Sequence, residues 1–580
     1  MLKFIFTLIF SLSLIGLEKK AQAEVYDIVH PHWQEKLEIT DYNFKSKVGN
    51  KGKILKLNDD VIVLIWERYP AELFVYDPIV NKWKFLRKDD SYRIQSEYEE
   101  LVYSLDEPYI KLNPFGKTPL AALVKFPTDT ETKITIRIKG KENSPDIVHT
   151  IDAYETEHDI PIFGLYPNHK NEVLLTAEDK NGNKKSTNIT IQTGGIDIDE
   201  QWITLQKKDD SFNYYATYDG HVYDEYGSLR YQFIDGGWHQ VYFYKDFVFV
   251  ETQGSVKKYS LLGKLLREYV YPKGFYGYIH GIGFKNNDNL LVFGSFENSK
   301  ALIDNEMRGT HRDFVLEIDI TTGDILKKYD LAEMLNPDRS LIIKSTDNDG
   351  GKIDWAHTNG IDYDAKNKAV IVSGRHIGIV KISEKSKKPI WWLTPHQLTH
   401  KSGRNGDKGD ISHLLLTAVD KNKKPYSKKV QKGIEKADGF KWPLKTHNVK
   451  YIGNGLYSIL DNSGEMYDKS LYTTKNSVAS VFKIDDKAKT VQQMVLKELP
   501  AYSEMGSAII IHPQTKELWV SLGKVASKNG GRQCNTHMYR FDSNKNIIYE
   551  ALIHKGDNSM IYLIHPYQFY SKNNWPTPQK

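Results

Sequence analysis

Cysteine is almost missing from this chain. Its 580 residues include one, Cys534, so no disulfide can close within it. Small exported domains usually lean on disulfides, so a single cysteine leaves packing to hold this fold together. Hydrolases that work through an oxidised cysteine carry Cys-x-Pro-x-Arg. Cys534 is followed by Asn535-Thr536, which excludes that class. An excess of one charge is missing as well: 79 Lys and Arg stand against 74 Asp and Glu, a net +5. So mild a balance implies neither a nucleic-acid nor a membrane-surface partner. Long apolar runs are confined to Phe4 to Leu17, short of the roughly 20 residues a membrane anchor needs. With Lys3 before it and Ala21-Gln22-Ala23 after it, that run reads as a signal peptide over 1–23. Long helical periodicities are few. What is abundant is aromatic: 36 Tyr, 23 Phe and 11 Trp, a composition that favours β structure.

A chain this long exceeds one ordinary core and predicts two or three domains. Residues 24–109 read as a β-rich extension. Val61-Ile62-Val63-Leu64-Ile65-Trp66 and Leu73-Phe74-Val75-Tyr76 look like strands, and Asp77-Pro78 like a turn. Over 110–195, short strands recur at Ala121–Phe126, Lys133–Ile138, Val173–Ala177 and Asn188–Gln192 between polar turns. This pattern predicts a small β-sandwich.

From 196 to 580 a longer repeat emerges. Strands ending in Asp recur at Phe314–Asp319, Val481–Asp485 and Met538–Asp542. Ahead of them, hairpins open at His280-Gly281-Ile282, His357-Thr358-Asn359-Gly360-Ile361, His447-Asn448-Val449 and Gly506-Ser507-Ala508-Ile509. Repeats of four strands on this scale fit a β-propeller, with six blades of roughly 64 residues each. The expected fold is therefore all-β: an extension, a sandwich and a six-bladed propeller. First strands of propeller blades line the central channel, so His280, His357 and His447 converge at one mouth. A turn centred on Lys366 places Arg375 opposite His357, about 5 Å away across the hairpin. The polar stretch from Thr399 to Phe440 breaks the repeat and is either a lid or an exposed insertion.

Three histidines and an arginine with no carboxylate beside them do not make an acid–base pair. The plain alternative, that each histidine merely caps a strand, is weakened by three of them sharing one slot. A metal site is one reading, since neutral imidazole is a common ligand, and it would make the chain a metal-dependent lyase or hydrolase. The arginine's fixed charge opposes a metal. It favours an anion site in which one neutral imidazole attacks phosphorus or sulfur while the other donors hold the oxygens. A binding propeller without catalysis stays open as a third reading.

At these residues the chain resembles the bacterial periplasmic arylsulfate sulfotransferases, which move a sulfuryl group between phenols without an adenylyl-sulfate cofactor. The likeness runs through Asn113-Pro114-Phe115-Gly116-Lys117-Thr118-Pro119-Leu120 and Pro161-Ile162-Phe163-Gly164-Leu165-Tyr166. It continues through Trp355-Ala356-His357-Thr358-Asn359, Ser373-Gly374-Arg375-His376 and Thr446-His447 to Phe482-Lys483-Ile484-Asp485. The resemblance implies a sandwich followed by a six-bladed propeller, a homodimer, a periplasmic location and no cofactor. It also implies that His447 becomes a sulfohistidine in a ping-pong cycle with an aryl sulfate donor and a phenolic acceptor. His357, Asn359 and Arg375 would then bind the sulfuryl oxygens. His280 would contact the sulfuryl group or the bridging phenolic oxygen. By strand alternation His376 points to the opposite face. Asp461, opposite His447 if that hairpin turns at Asn454, is a candidate to orient the imidazole, with turn capping as its other reading. The chain departs from the family in three places: Lys424 to Phe440 lacks cysteine, Gly506-Ser507 lacks a threonine, and residues 24–109 lie outside the pattern.

Overall fold

The computed structural model describes residues 24–570 apart from 32, 41, 48, 100, 199, 236–239, 286–287, 304, 312, 338–350, 399–408, 464–469, 513–514, 526–534 and 556–560. The expected signal peptide, Cys534 and the first residues of the polar insertion lie outside the described residues. Among the described residues no helix is long and apolar enough to cross a membrane.

The chain divides into a unit ending at Tyr103 and a second starting at Ser104. In the first, seven strands from Glu24–His30 to Lys82–Lys88 close into a barrel. The first strand pairs antiparallel with the second and parallel with the seventh, through Ile28↔Trp83. Alternation drives the closure: along Lys51–Asn58 the residues Gly52 and Ile54 turn inward while Lys51 and Lys53 face out. Ile28, Leu37, Ile62, Leu64 and Phe74 fill the interior. The two sequence-read strands at 61–66 and 73–76 are adjacent members of this barrel.

The second unit opens with one continuous five-stranded antiparallel sheet built from Tyr109–Leu112, Ala122–Ile138, Ile147–Ile162, Lys170–Asp179 and Lys184–Gln192. The strands expected separately at 121–126 and 133–138 are the two ends of a single 17-residue strand. Its polar middle, Asp129-Thr130-Glu131, reads as a turn by composition, yet it stays extended and exposed while both ends bury alternate side chains. Bulges near Glu155 bend its partner strand. The motif at 161–166 joins this sheet to the strand Leu229–Gln232. Gly164 O accepts hydrogen bonds from Nε and Nη2 of the fully buried Arg230, whose guanidinium lies 3.8 Å from the Tyr166 ring centroid.

Beyond it, six sheets of four or five strands are described, antiparallel but for one short parallel edge pair. Their innermost strands are Ile564–Tyr567, Gln240–Tyr244, Phe275–Phe284, Thr358–Asp364, Thr446–Gly453 and Ser507–Ile511. From Gln240–Tyr244 through Ser507–Ile511 and on to Ile564–Tyr567, each packs beside the next. The two ends of this region exchange partners: Glu200–Lys207 adds to the sheet of Ile547–Lys555, and Ile564–Tyr567 pairs with Tyr214–Thr217. The Asp-ended strands of the repeat are each the third strand of a sheet, and the histidine-bearing segments each belong to an innermost strand.

The described part of the 399–440 insertion packs on the outer side of the fifth sheet. Thr417–Ala418 pairs parallel with Thr490 and Val491. Leu416, Ala418, Val430, Phe440 and Trp442 join that sheet's core, and Trp442 Nε1 donates to Val430 O at 2.7 Å. Apolar burial thus fixes a segment that contains no cysteine.

Candidate active site

Each of the three histidine segments interrupts its ladder. The register shifts between Gly277 and Ile282, between Thr358 and Gly360, and between His447 and Lys450. A bulge re-aims side chains at a strand's end. Gly281, His357 and Asn448 accordingly take φ values of 147°, 46° and 52°. For His357 and Asn448 that left-handed backbone costs on the order of 1 kcal/mol each, held in place by surrounding bonds.

The bulges bring the histidines together. The rings of His280 and His357 lie 5.3 Å apart, and Tyr562 stacks on His280 at 5.5 Å while meeting His447 edge-on at 6.4 Å. Arg375 N donates to His357 O at 2.9 Å, so these two residues face each other as the hairpin reading expected. Arg375 Nη2 donates to Glu504 O at 3.3 Å, while its buried Nε has no hydrogen-bond partner among the described residues. Asn359 sits at the seam between the fourth and fifth sheets. Its Nδ2 donates to Thr446 O at 2.7 Å, and its Oδ1 accepts from Ser373 Oγ. Ser507, in the fourth slot, has its hydroxyl bound to Ser503 Oγ and Gly506 O.

His447 is 1 % exposed. Burial is the main force on its pKa and Arg375 the next, and together they lower it to about 3 despite the Lys445 carbonyl and Asn462, which pull it up. The imidazole is therefore neutral at pH 7. Its Nδ1 is 3.2 Å from Lys445 O, a contact in which only the ring can donate, so Nε2 keeps its lone pair.

A carboxylate is present after all, against the sequence expectation. Asp354 accepts from the His357 backbone N–H at 3.1 Å and from His357 Nδ1 with its other oxygen. His376 also belongs here. It lies in the tight turn after Ser373-Gly374, where strand alternation no longer applies, and its Nδ1 donates to Asp354 O at 2.8 Å, its ring 5.3 Å from His357. Tyr278 OH bonds His311 Nδ1 at 2.9 Å, and His311 Nε2 lies 3.9 Å from Asp354. Behind His280, burial raises Glu251 to about 8. Tyr242 OH and the Gly281 N–H donate to it and pull the other way.

Asp461 does not orient His447. The bulge pairs His447 with Leu460 and Asp461 with Thr446. The Asp461 carboxylate instead takes the Lys441 ammonium and the Ser463 N–H. Among the described residues no group of three or more His, Cys, Asp or Glu side chains is placed to hold a metal ion.

The site thus holds a deeply buried neutral imidazole, an arginine whose charge acts on it and a second histidine held by a carboxylate. Residues 176–562 match the arylsulfotransferase (ASST) family model and residues 109–194 match the arylsulfotransferase Ig-like domain, so the chain belongs to the arylsulfotransferase family of enzymes. Among curated relatives, the arylsulfate sulfotransferase AssT of Lelliottia amnigena is 24 % identical over 488 residues, covering 66 % of this chain and 79 % of that one. AssT of Escherichia coli O6:H1 is 23 % identical over 486 residues, covering 66 % and 78 %. Among solved structures, a protein of unknown function from Bacteroides caccae is similar over 61 % of this chain and 98 % of its own, at 10 % identity and a TM-score of 0.34.

Proposed function

We propose that the chain moves a sulfuryl group from an aryl sulfate donor to a phenolic acceptor by a ping-pong cycle through a sulfohistidine at His447. The observation that carries this reading is the state of His447: buried, neutral, and tied at Nδ1 so that the Nε2 lone pair is free to attack.

In the first half, His447 Nε2 attacks sulfur and forms the N–S bond. The S–O bond to the aryl group breaks, and its electron pair leaves on the phenolic oxygen. His357, held through Nδ1 by Asp354, gives that oxygen a proton from Nε2, and phenol departs. Arg375 and His280 hold the sulfuryl oxygens as charge shifts between them. In the second half an acceptor phenol passes its proton to His357. Its oxygen attacks sulfur, the N–S bond breaks, and neutral His447 returns. No metal or nucleotide enters the balance. Asn359 acts by fixing Thr446, and hence His447, against the fourth sheet.

The six sheets form a six-bladed propeller in this reading, with their innermost strands around one channel and the exchanged terminal strands closing the ring. Residues 1–23 direct the chain to the periplasm, where it works as a homodimer. The test is release of 4-nitrophenol from 4-nitrophenyl sulfate with chelator present. Release that requires added phenol, with phenyl sulfate formed in step, supports transfer. Release indifferent to phenol makes the chain a hydrolase.

A further inference from the structure

Further along the innermost strands lies a second, partly open cavity. A cavity of about 390 Å³ is lined by Ile282, Ile361, Lys450, Ile510, Leu563 and His565 together with several aromatic rings. None of His280, His357, Arg375 or His447 lines it. On the strand that carries both sites, Lys450 follows His447 by three residues, roughly 10 Å at about 3.3 Å per residue. The volume lies within the roughly 300–1,000 Å³ of small-molecule sites.

The walls are apolar and aromatic, among them Tyr218, Phe284 and Tyr451, with the Tyr244 ring stacked on Phe284 at 3.7 Å. Two polar groups in this lining are unmet. His565 Nδ1 is buried without a hydrogen-bond partner among the described residues. Lys450 forms no ion pair among the described residues, although its charge reaches both Asp362 and His565. Asp362 does not answer that charge directly, because its carboxylate accepts the backbone N–H groups of Tyr451 at 2.7 Å and Tyr363 at 2.8 Å. Buried polar groups are nearly always partnered, so the buried His565 Nδ1 calls for a partner from outside the chain, and the half-buried Lys450 beside the same cavity supplies a positive charge to hold an anionic one.

We propose that this cavity is a second ligand site, separate from the transfer centre, that binds an aromatic monoanion. Its ring lies against Tyr218, Ile282 and Ile510, and its anionic oxygens take the Lys450 ammonium and the His565 Nδ1–H. None of the four residues of the transfer centre lines the cavity, so the ligand is held there and not turned over. A bare inorganic anion lacks the ring that the walls fit, and a neutral phenol lacks the charge Lys450 requires.

The test is calorimetric titration of the full-length protein with benzenesulfonate, an aryl anion that has no ester bond to transfer. Wild type is expected to show two binding events. Lys450→Met and His565→Phe are each expected to show one, with turnover of 4-nitrophenyl sulfate kept within about twofold. His447→Asn is expected to keep the cavity event. Two variants on different strands guard against misfolding of either. A single event in wild type, or a second event that survives both substitutions, overturns the proposal. Inorganic sulfate producing the second event as well as benzenesulfonate does overturns the aromatic part. Titrating 4-nitrophenyl sulfate and 4-nitrobenzoate into His447→Asn separates the donor itself from a non-transferable anion as the occupant. Occupancy by either supports the class, and occupancy by neither contradicts it.

Discussion

Asp354 grips His357 at two points, taking its backbone N–H at 3.1 Å with one oxygen and its ring Nδ1 with the other. The backbone bond holds His357 at φ 46°, where an L-residue is strained, and the side-chain bond fixes the ring through Nδ1, which leaves Nε2 for the proton transfer proposed above.

Asp354→Asn is therefore expected to lower kcat by about 10²–10⁴-fold, the range that a positioned proton donor contributes. The loss should depend on the donor. Phenyl sulfate, whose leaving oxygen needs a proton, should suffer more than 4-nitrophenyl sulfate, whose leaving group departs as the anion. Equal losses with both donors would remove proton delivery from His357.

Arg375 acts on His447 by charge, and its removal should be visible in pH. Arg375→Met takes away the second of the forces that depress the His447 pKa, so the acid limb of kcat/KM should move upward from about 3 towards neutrality. The same change should cost about 10²–10³-fold in kcat, as loss of one oxyanion donor does. An unmoved acid limb would separate Arg375 from His447.

The buried groups also predict opposite stability profiles. His447 titrates near 3 when folded and near 6.5 when unfolded, so protons favour the unfolded chain. Its contribution is present above 6.5 and lost as pH falls towards about 3. Glu251 titrates near 8 when folded and near 4.5 when unfolded. Its neutral form suits the fold, and its contribution is lost as pH rises from 4.5 through about 8. Glu251→Gln should flatten the fall in Tm between pH 6 and 9, and His447→Asn should flatten the fall between pH 6 and 4. Unchanged profiles in both variants would contradict the burial assigned to them.

Packing holds the segment before His447, which contains no cysteine. Phe440 is fully buried against Trp442 and Phe482, so Phe440→Ala should cost about 3–5 kcal/mol in urea unfolding. Since Lys424 to Phe440 contains no cysteine, dithiothreitol should leave activity unchanged. A loss of activity in reductant would point to Cys534 pairing between chains.

How much of this was readable in the sequence is clearest at the two hairpins. His357 was expected opposite Arg375 from a turn centred on Lys366. The hairpin pairs Asp364 with Ala369, one residue off that centre, and the bulge at Asn359 slips the register back, so two offsets cancel. In the His447 hairpin the body pairs Lys450 with Ser458 as a turn at Asn454 requires. The bulge beyond it is uncompensated, and Asp461 moves off His447. A one-residue slip turns every later side chain to the other face, and nothing in composition marks where such a slip falls. Motif spacing therefore located the histidines, while the identity of their neighbours depended on bulges. Asp354 precedes its strand and carries no periodic signal, and Tyr562 lies in the irregular segment before Ile564–Tyr567, more than a hundred residues from His447. The N-terminal barrel was legible only as β-rich, because alternation announces strands but not the Ile28↔Trp83 pairing that closes them.

The most direct test of the central claim is to mix the enzyme with 4-nitrophenyl sulfate without acceptor, and then map the mass of its peptides. The account predicts a burst of 4-nitrophenol equal to the enzyme present and one sulfuryl adduct on the peptide holding His447. Added phenol should discharge the adduct as phenyl sulfate, and His447→Asn should show neither burst nor adduct. A burst with the adduct on another residue, or full turnover by His447→Asn, would contradict it.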